Sequence, residues 1–398
     1  MATVKTGYGG AVKEAPFKVG GIVEPPYFVG REEELTKLCD DARILTQNNL
    51  ILAPRRYGKS SLLHNIRRCL QDERKLLIPY VNCREMTDYA SFHRATVTAL
   101  LSEYESRTKI AGLVETFRIF LKERILQAVK RTEEIGGSLG EIGRVYLRFR
   151  EEEVEETELA QAAFRFFRAF TEEKGVQVVF LLDEFQEVAV FNGFLFNLFK
   201  KELDEVSSVR YFFSGSSMQM LSSIFLKEDA PLYLMVARHY MEPLKGDDVV
   251  DFVQQRFAVA NLSITKQAAQ LFHTLTGGIP YYIQKLGVLA AQSAALNATN
   301  RITAPLVRNV FARMLEELDS EFEARWFARF SNQQRAIVRT LAQLGNAKMS
   351  EIAETMHVKR YDISSAMGRL RDMMIVAARD DGSYYVVDRV FAAWLAEQ

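Results

Sequence analysis

The chain has 398 residues, of which 48% are hydrophobic and 26% charged, ordinary values for a globular protein of two or three domains. Lys plus Arg equals Asp plus Glu at 51 each, which argues against a protein that coats nucleic acid by bulk electrostatics and leaves only local basic patches. Three cysteines (Cys39, Cys69, Cys83) show no metal-ligand spacing and cannot frame a chain this size with disulfides, so a reducing setting is expected. The start "MATVKTGYGGAVKEAP" lacks the apolar centre of a signal peptide, and no apolar run approaches the roughly 18 residues of a membrane helix. A cytoplasmic protein without a membrane partner is expected.

Residues 1–20 are Gly-rich and short on aliphatics, and read as a flexible arm. At "EPPYFVGREEELTKLCDDARIL" a turn passes into a helix: Leu35, Leu38 and Ile44 keep helical spacing, and Glu32, Glu33 and Glu34 suit its positive N-terminus. "NNLILAP" is a short apolar strand, "KSSLLHNIRRCLQDE" an amphipathic helix and "KLLIPYVNC" the next strand, which together make a βαβ unit of a parallel sheet. Residues 90–173 are mostly helical and interrupted by "EEIGGSLGEIG". The excess over a minimal crossover reads as a helical insertion at about 103–160, either a solvated hairpin or a partner surface.

"VQVVFLLDEFQEV" is nearly continuous in apolar residues, as a buried parallel strand should be. "FNGFLFNLFKKELDEV" is a helix, and "VRYFFSGSS" another buried strand ending in small polar residues. "ARHYMEPL" leads into an all-helical region of about 80 residues, broken at Gly277 and Gly278 inside "HTLTGGIPYY". From about 330, three short helices and a hairpin with an Asp-Gly turn ("AARDDGSYYVV") make the winged-helix pattern.

The stretch "ILAPRRYGKSSLL" carries Gly58, Lys59 and Ser60 between an apolar strand and an amphipathic helix. That is the context of a phosphate-binding loop, in which backbone N–H groups surround the phosphates, Lys reaches the outer phosphates and the hydroxyl binds Mg²⁺. Ala53 stands where such loops begin with Gly, and fits only if its φ stays negative. Downstream, "VVFLLDEF" ends an apolar strand in Asp183 and Glu184. Asp183 is placed to hold Mg²⁺, with Ser60 as the second protein ligand, and Glu184 to orient and deprotonate the attacking water. Lys59 neutralises charge in the same step. Ser214 and, second, Ser216 end the third strand, where a polar group can sense the outer phosphate or the water; an ordinary turn is the other reading.

Four motifs in order, "FVGREEEL", "PRRYGKSSLL", "FLLDE" and "TGGIPYY", resemble the archaeal-type ATPases of the STAND class, relatives of AAA+ and origin-recognition ATPases. The resemblance spans about 25–300, and the winged-helix tail fits it. It implies an α/β fold: a P-loop NTPase parallel sheet with a helical insertion (21–240), an all-α lid domain (241–328) and a C-terminal winged-helix domain (329–398). It implies ATP/ADP with Mg²⁺ as cofactors, places Tyr27, Val29 and Gly30 at the adenine, and counts Arg31 of the same motif among the cofactor-binding residues. The loop Pro54, Arg55, Arg56, Tyr57, Gly58, Lys59, Ser60 and Ser61 goes to the phosphates, with Gly278 and Pro280 on the lid. Arg238 matches an arginine that often precedes the lid and reaches the outer phosphate; a surface arginine is the other reading. The implied activity is a slow ATPase that acts as a nucleotide switch.

The expected recognition helix, "RYDISSAMGRLRDMM", offers Arg360, Tyr361, Ser364, Ser365 and Arg369 to a DNA groove or a protein partner, while Ile363, Met367 and Leu370 keep core spacing. Basic and acidic residues nearly balance in this region, a poor composition for strong DNA binding. Duplex DNA and a protein both stay open as targets. So do a non-catalytic nucleotide-bound scaffold and an ATP-controlled DNA-binding regulator.

Overall fold

The computed structural model describes residues 14–108, 112–114, 156–190, 194–205 and 208–398. The helical insertion expected over about 103–160 falls mostly outside the described residues, as does the arm before residue 14. Packing divides the chain into two compact units: one holds Glu33–Ala53 and Leu62–Met241, the other the residues up to Glu32, Pro54–Ser61 and Glu242–Gln398.

The first unit is built on a parallel sheet of β1 (Asn49–Leu52), β2 (Leu76–Leu77), β3 (Tyr80–Asn82), β4 (Gln177–Asp183), β5 (Val209–Gly215) and β6 (Ala237–Tyr240). The order is β2-β4-β5-β1-β6, with β3 also on β4. The unit of β1, helix α2 (Lys59–Cys69) and β3 is parallel, as its sequence indicates. However, β4 and β5 lie between its two strands. The strand ending in Asp183 is therefore separated from β1 by β5 alone, and all three end at one edge of the sheet. Ligands of open α/β sheets bind outside that carboxyl edge.

β4 is buried on both faces from Val178 to Asp183, as expected for an apolar run in a parallel sheet. Helix α1 (Glu32–Ile44) begins on the acidic run, and α3 (Tyr89–Thr108), α4 (Glu156–Lys174) and α5 (Phe194–Glu205) complete the helical layers. An aromatic core joins them to the strands: Phe167 meets Phe180 at 4.7 Å, Phe185 meets Phe213 at 4.6 Å and Phe199 meets Tyr211 edge-on at 5.5 Å. His93 lies fully buried among these rings, 5.2 Å from Phe92 and 5.7 Å from Phe164. Burial pushes its imidazole down to about 3, so it is neutral.

The second unit is mainly helical. It contains α6 (Gly246–Val259), α7 (Lys266–Thr276), α8 (Pro280–Leu296) and α9 (Ala304–Arg329), with β7 (Ser263–Ile264) and β8 (Arg301–Ile302) paired in parallel. The break at Gly277 and Gly278 has a physical cause. Gly277 closes α7 at φ 64°, Gly278 follows at φ 72°, and Pro280 opens α8, where its missing N–H is not needed. A Cβ on Gly278 would lie 2.4 Å from the Leu244 carbonyl oxygen.

Ser331 starts the last region with a capping box that begins α10 (Asn332–Leu344). After it come β9 (Asn346–Ala347), α11 (Met349–Thr355), α12 (Arg360–Asp372), the hairpin β10 (Val376–Ala378) and β11 (Tyr384–Val386), and α13 (Arg389–Glu397). The three strands form one antiparallel sheet in the order β10-β11-β9. Ile363, Met367 and Leu370 are buried, matching their spacing.

Order begins earlier than a flexible 1–20 arm implies. Phe17 is 3% exposed, wedged over Gly287 and against Phe252 and Phe257. Arg256 holds the carbonyls of Pro16 (2.7 Å) and Ala15 (2.9 Å) and the Glu14 carboxylate (3.0 Å). One aromatic ring and one guanidinium suffice to dock a segment that composition reads as a tail.

Candidate functional site

The loop from Pro54 to Ser61 bends through two left-handed residues, Arg56 at φ 75° and Gly58 at φ 87°. A β-carbon at φ 75° is strained, so Arg56 must be held there by its contacts. Ala53, fully buried, is not among the residues of positive φ, which is the condition under which alanine can replace the usual glycine. Lys59 is buried at the start of α2 and donates from Nζ to the Pro54 carbonyl at 3.0 Å, across the mouth of the loop. Ser60 is half-buried, and Ser61 Oγ accepts from the Val23 N–H at 3.1 Å.

A narrow cleft in the same unit is lined by Tyr27, Val29 and Arg31, by Tyr57, Gly58 and Ser61 of the loop, and by Pro280 of α8. Its volume is about 30 Å³, enough for a water. Gln284 ties the walls together: its Nε2 donates to the Tyr27 carbonyl at 3.0 Å, and its Oε1 accepts from Lys18 N–H at 3.0 Å. Gly30, at φ 66°, turns the chain where a Cβ would press Leu244 at 3.0 Å. Arg31 is buried and reaches the Tyr57 carbonyl at 3.5 Å. Burial, with Asp388 nearby, raises the Tyr57 phenol. Gly278 accepts from the Leu244 N–H at 2.9 Å rather than lining the cleft.

Arg56 is engaged on several sides. Its guanidinium bonds the Tyr282 hydroxyl and the Glu321 carboxylate and lies 4.8 Å from the Tyr281 ring, 4.9 Å from the Tyr282 ring and 5.6 Å from Phe322. Arg55 is exposed.

The first unit carries the acidic strand end. Asp183 is buried and accepts from Tyr80 Oη at 3.0 Å and Ser214 Oγ at 2.5 Å. Glu184 adopts φ 52°, turning its side chain sharply at the end of β4. Its carboxylate accepts from Arg84 (3.2 Å), Gln186 (2.5 Å) and Ser216 (2.8 Å). Gly215 leaves room for this arrangement, since a Cβ there would meet Gln186 Oε1 at 2.0 Å. Ser214, the first choice at this position, is fully buried on Asp183; Ser216, the second, touches Glu184. Arg238 is exposed on β6, 3.5 Å from the Phe225 carbonyl and 5.7 Å from the Tyr233 ring.

Tyr80, Arg84 and Gln186 are missing from the residues singled out in the sequence. Strand order alone brings Tyr80 and Arg84 beside β4, and no spacing along the chain reveals that. On α12, Arg360, Tyr361, Ser364, Ser365 and Arg369 all lie exposed, with Arg369 bonded to Ser365 at 3.2 Å.

The ATPase-domain family predominantly from Archaea matches by its model over residues 28–286. No curated protein matches the chain. Among solved structures, the Walker-type ATPase paby2304 of Pyrococcus abyssi is similar with TM-score 0.66 and 19% identity, over 96% of this chain and 99% of that one. The ORC2 protein of Aeropyrum pernix, solved in ADPNP–ADP complexes, is similar with TM-score 0.59 and 14% identity, over 96% of this chain and 95% of that one. Both likenesses support a P-loop nucleotide-binding fold with a helical C-terminal region. The family match covers well over half of the sequence and contains the loop, the acidic strand end and the Gly-Ile-Pro break: the chain belongs to the family of ATPase domains found predominantly in Archaea.

Proposed function

We propose that this protein is a slow, Mg²⁺-dependent ATPase that couples its nucleotide state to a target through a C-terminal winged helix. The observation that carries the reading is the sharing of one cleft by Gly58 and Ser61 of the phosphate loop with Tyr27, Val29 and Pro280. A nucleotide needs both parts together: an apolar slot for its base, and a loop of N–H groups with a lysine for its phosphates. ATP/ADP is the ligand this pairing suits, and the nucleotide complexes of the Aeropyrum pernix ORC2 protein support it.

Glu184 is the proposed base. Its carboxylate stands at the carboxyl edge of the sheet and accepts from three side-chain donors, so its direction is set before a water arrives. While all three donors stay in place, they compete with a water for its oxygens. Asp183 and the Ser60 hydroxyl would hold Mg²⁺. Their hard oxygen donors suit an ion that takes one or two protein ligands plus phosphates and water, and no group of three metal-binding side chains occurs among the described residues. When bound, Mg²⁺ supplies neutralisation of charge on the transferred phosphoryl group. Lys59 adds a positive charge at the loop, Ser216 holds the base, and Ser214 fixes the Asp183 carboxylate. Arg238, exposed on its strand, is the least supported of the proposed catalytic residues.

Three helices ahead of the hairpin, a fourth after it, and a three-stranded antiparallel sheet support the winged-helix reading of 329–398. The exposed row Arg360, Tyr361, Ser364, Ser365 and Arg369 is its proposed contact face. Duplex DNA is one target. A protein target is favoured by two features: Val358 and Tyr361, three residues apart, are 40% and 71% exposed, and the hairpin tip carries Asp380 and Asp381, which repel phosphates.

The test is ATP hydrolysis with and without duplex DNA for wild type, Lys59→Ala and Glu184→Gln. Lys59→Ala is expected to lose nucleotide binding, and Glu184→Gln to bind ATP without turning it over. Unchanged turnover in Glu184→Gln removes the base assignment. A salt-sensitive shift of labelled duplex, lost when Arg360 and Arg369 are neutralised, supports DNA, and no shift at low salt leaves the protein target.

A further inference from the structure

The phosphate loop is bound to the C-terminal helix through a chain of polar contacts inside a single compact unit. Arg56 has a side chain only 14% exposed, surrounded by three aromatic rings, and donates to the Tyr282 hydroxyl. That hydroxyl donates onward to Asp388 at 2.9 Å. Asp388 also receives Arg325 at 3.0 Å, and its other oxygen caps α13 by accepting from the Phe391 N–H at 3.0 Å. The backbone joins in, with the Tyr281 N–H donating to the Arg56 carbonyl at 3.4 Å. A second contact runs beside it: the turn at Gly277 leaves room for Arg389, whose Cγ would lie 2.5 Å from an added Cβ.

Each link has a physical reason to persist. A guanidinium held among three rings and a carboxylate is desolvated but satisfied. Removing one partner leaves a buried charge short of an acceptor. Because Arg56 sits at φ 75°, its left-handed backbone is stable only while those contacts hold it. Loop shape and C-terminal packing are therefore two ends of one arrangement.

From this we infer that Tyr282 and Asp388 are positioning residues for the phosphate loop: they act through Arg56, setting phosphate affinity and carrying nucleotide occupancy into the C-terminal helix. Coupling of this kind is reciprocal, so whatever steadies the loop steadies the cluster, and loosening the cluster weakens binding at the loop. This rests on the assignment of residues 54–61 to the phosphates. Neither Tyr282 nor Asp388 touches the nucleotide in this scheme.

The chain supplies its own reporter. Its two tryptophans flank the cluster, Trp394 at 5.7 Å from Phe322 and Trp326 at 5.9 Å from Phe391. The experiment uses the full chain as wild type, Tyr282→Phe, Asp388→Asn and Lys59→Ala. Both cluster substitutions are near-isosteric, and asparagine can still cap α13. ADP affinity is measured by calorimetry, adenosine affinity by displacement of ADP, and tryptophan emission with and without saturating ADP. Tyr282→Phe and Asp388→Asn are expected to weaken ADP about tenfold, the equivalent of one lost hydrogen bond. They should weaken adenosine much less than ADP, since adenosine has no phosphate. Saturating ADP should shift the emission of wild type but not of Tyr282→Phe. Equal losses for ADP and adenosine would show general damage to the fold and overturn the inference, as would unchanged ADP affinity or an ADP-insensitive emission in nucleotide-bound wild type. Wild type that binds no ADP, or Lys59→Ala that binds it normally, would instead remove the phosphate-loop assignment itself.

Discussion

His93 gives the sharpest quantitative expectation. Its ring is fully buried beside Phe92 and Phe164, and neither ring nitrogen has a hydrogen-bond partner among the described residues. Burial takes the imidazole from an ordinary 6.5 down to about 3. The sign follows from linkage. Below the unfolded value the unfolded chain binds a proton that the folded chain refuses, so stability falls as pH drops through this window and is fully present above it. The slope is about 1.4 kcal/mol per pH unit, so moving from about pH 7 to about pH 5 costs about 2 kcal/mol. That figure barely depends on how far below pH 4 the folded value lies, because the window used stays above it. The perturbation is His93→Phe, which keeps an aromatic ring and removes the titration. The assay is urea unfolding by far-UV circular dichroism at both pH values for both proteins. A packing penalty in the variant is common to both conditions and cancels, as do all other titrating groups. The variant is expected to lose about 2 kcal/mol less than wild type on acidification. Equal losses in the two proteins would refute the claim that His93 is held neutral in the core.

Two further outcomes follow from the site. Gly278→Ala forces a Cβ to 2.4 Å from the Leu244 carbonyl at a left-handed φ, whereas Gly345→Ala meets nothing within 4 Å at a similar φ of 77°. Strain alone costs about 1–2 kcal/mol in both, so Gly278→Ala should be the more destabilising by at least ~1–3 kcal/mol in thermal unfolding; equal effects would show that Leu244 yields. Arg84→Ala removes one of three donors from Glu184, and basal ATP turnover should rise, by no more than about fivefold given that the ion pair is partly exposed. A fall in turnover would mean that Arg84 assists the reaction rather than restraining the base.

The elements that carry the proposed site were legible because they are local. An apolar strand, a glycine-lysine-serine turn and an amphipathic helix are continuous in sequence, and β4 displays its burial as an unbroken apolar run before Asp183. The break at Gly277 and Gly278 was readable for the same reason, since a left-handed stop and a proline start are written in adjacent residues. The remainder depends on contacts that no window contains. β6, with the sequence Ala-Arg-His-Tyr, alternates half-buried and exposed as an edge strand does, and its polarity hid it. Arg84 and Gln186 matter only because β3 and β5 flank β4. Asp388 reads as an ordinary helix cap, and only the folded chain shows that its second oxygen faces Tyr282. Phe17 was hidden by glycine-rich surroundings, although a single ring inserted over Gly287 fixes the segment.

The division of the chain bears on how the protein is made. The unit with the parallel sheet is nearly one stretch, Glu33 to Met241, interrupted only by the loop itself. The unit with the cleft draws on residues up to Glu32, the eight from Pro54 to Ser61, and everything after Met241. During synthesis the sheet can assemble as soon as its last strand emerges, since domains fold as units from the N-terminal side. The cleft must wait for helices made much later, and it bears the larger loop-closure cost of joining distant segments. A ribosome-bound chain stopped near Met241 would thus carry a folded sheet with its phosphate loop unanchored. On the proposed assignment, nucleotide capture comes late in folding, after the helices beyond Met241 have been made.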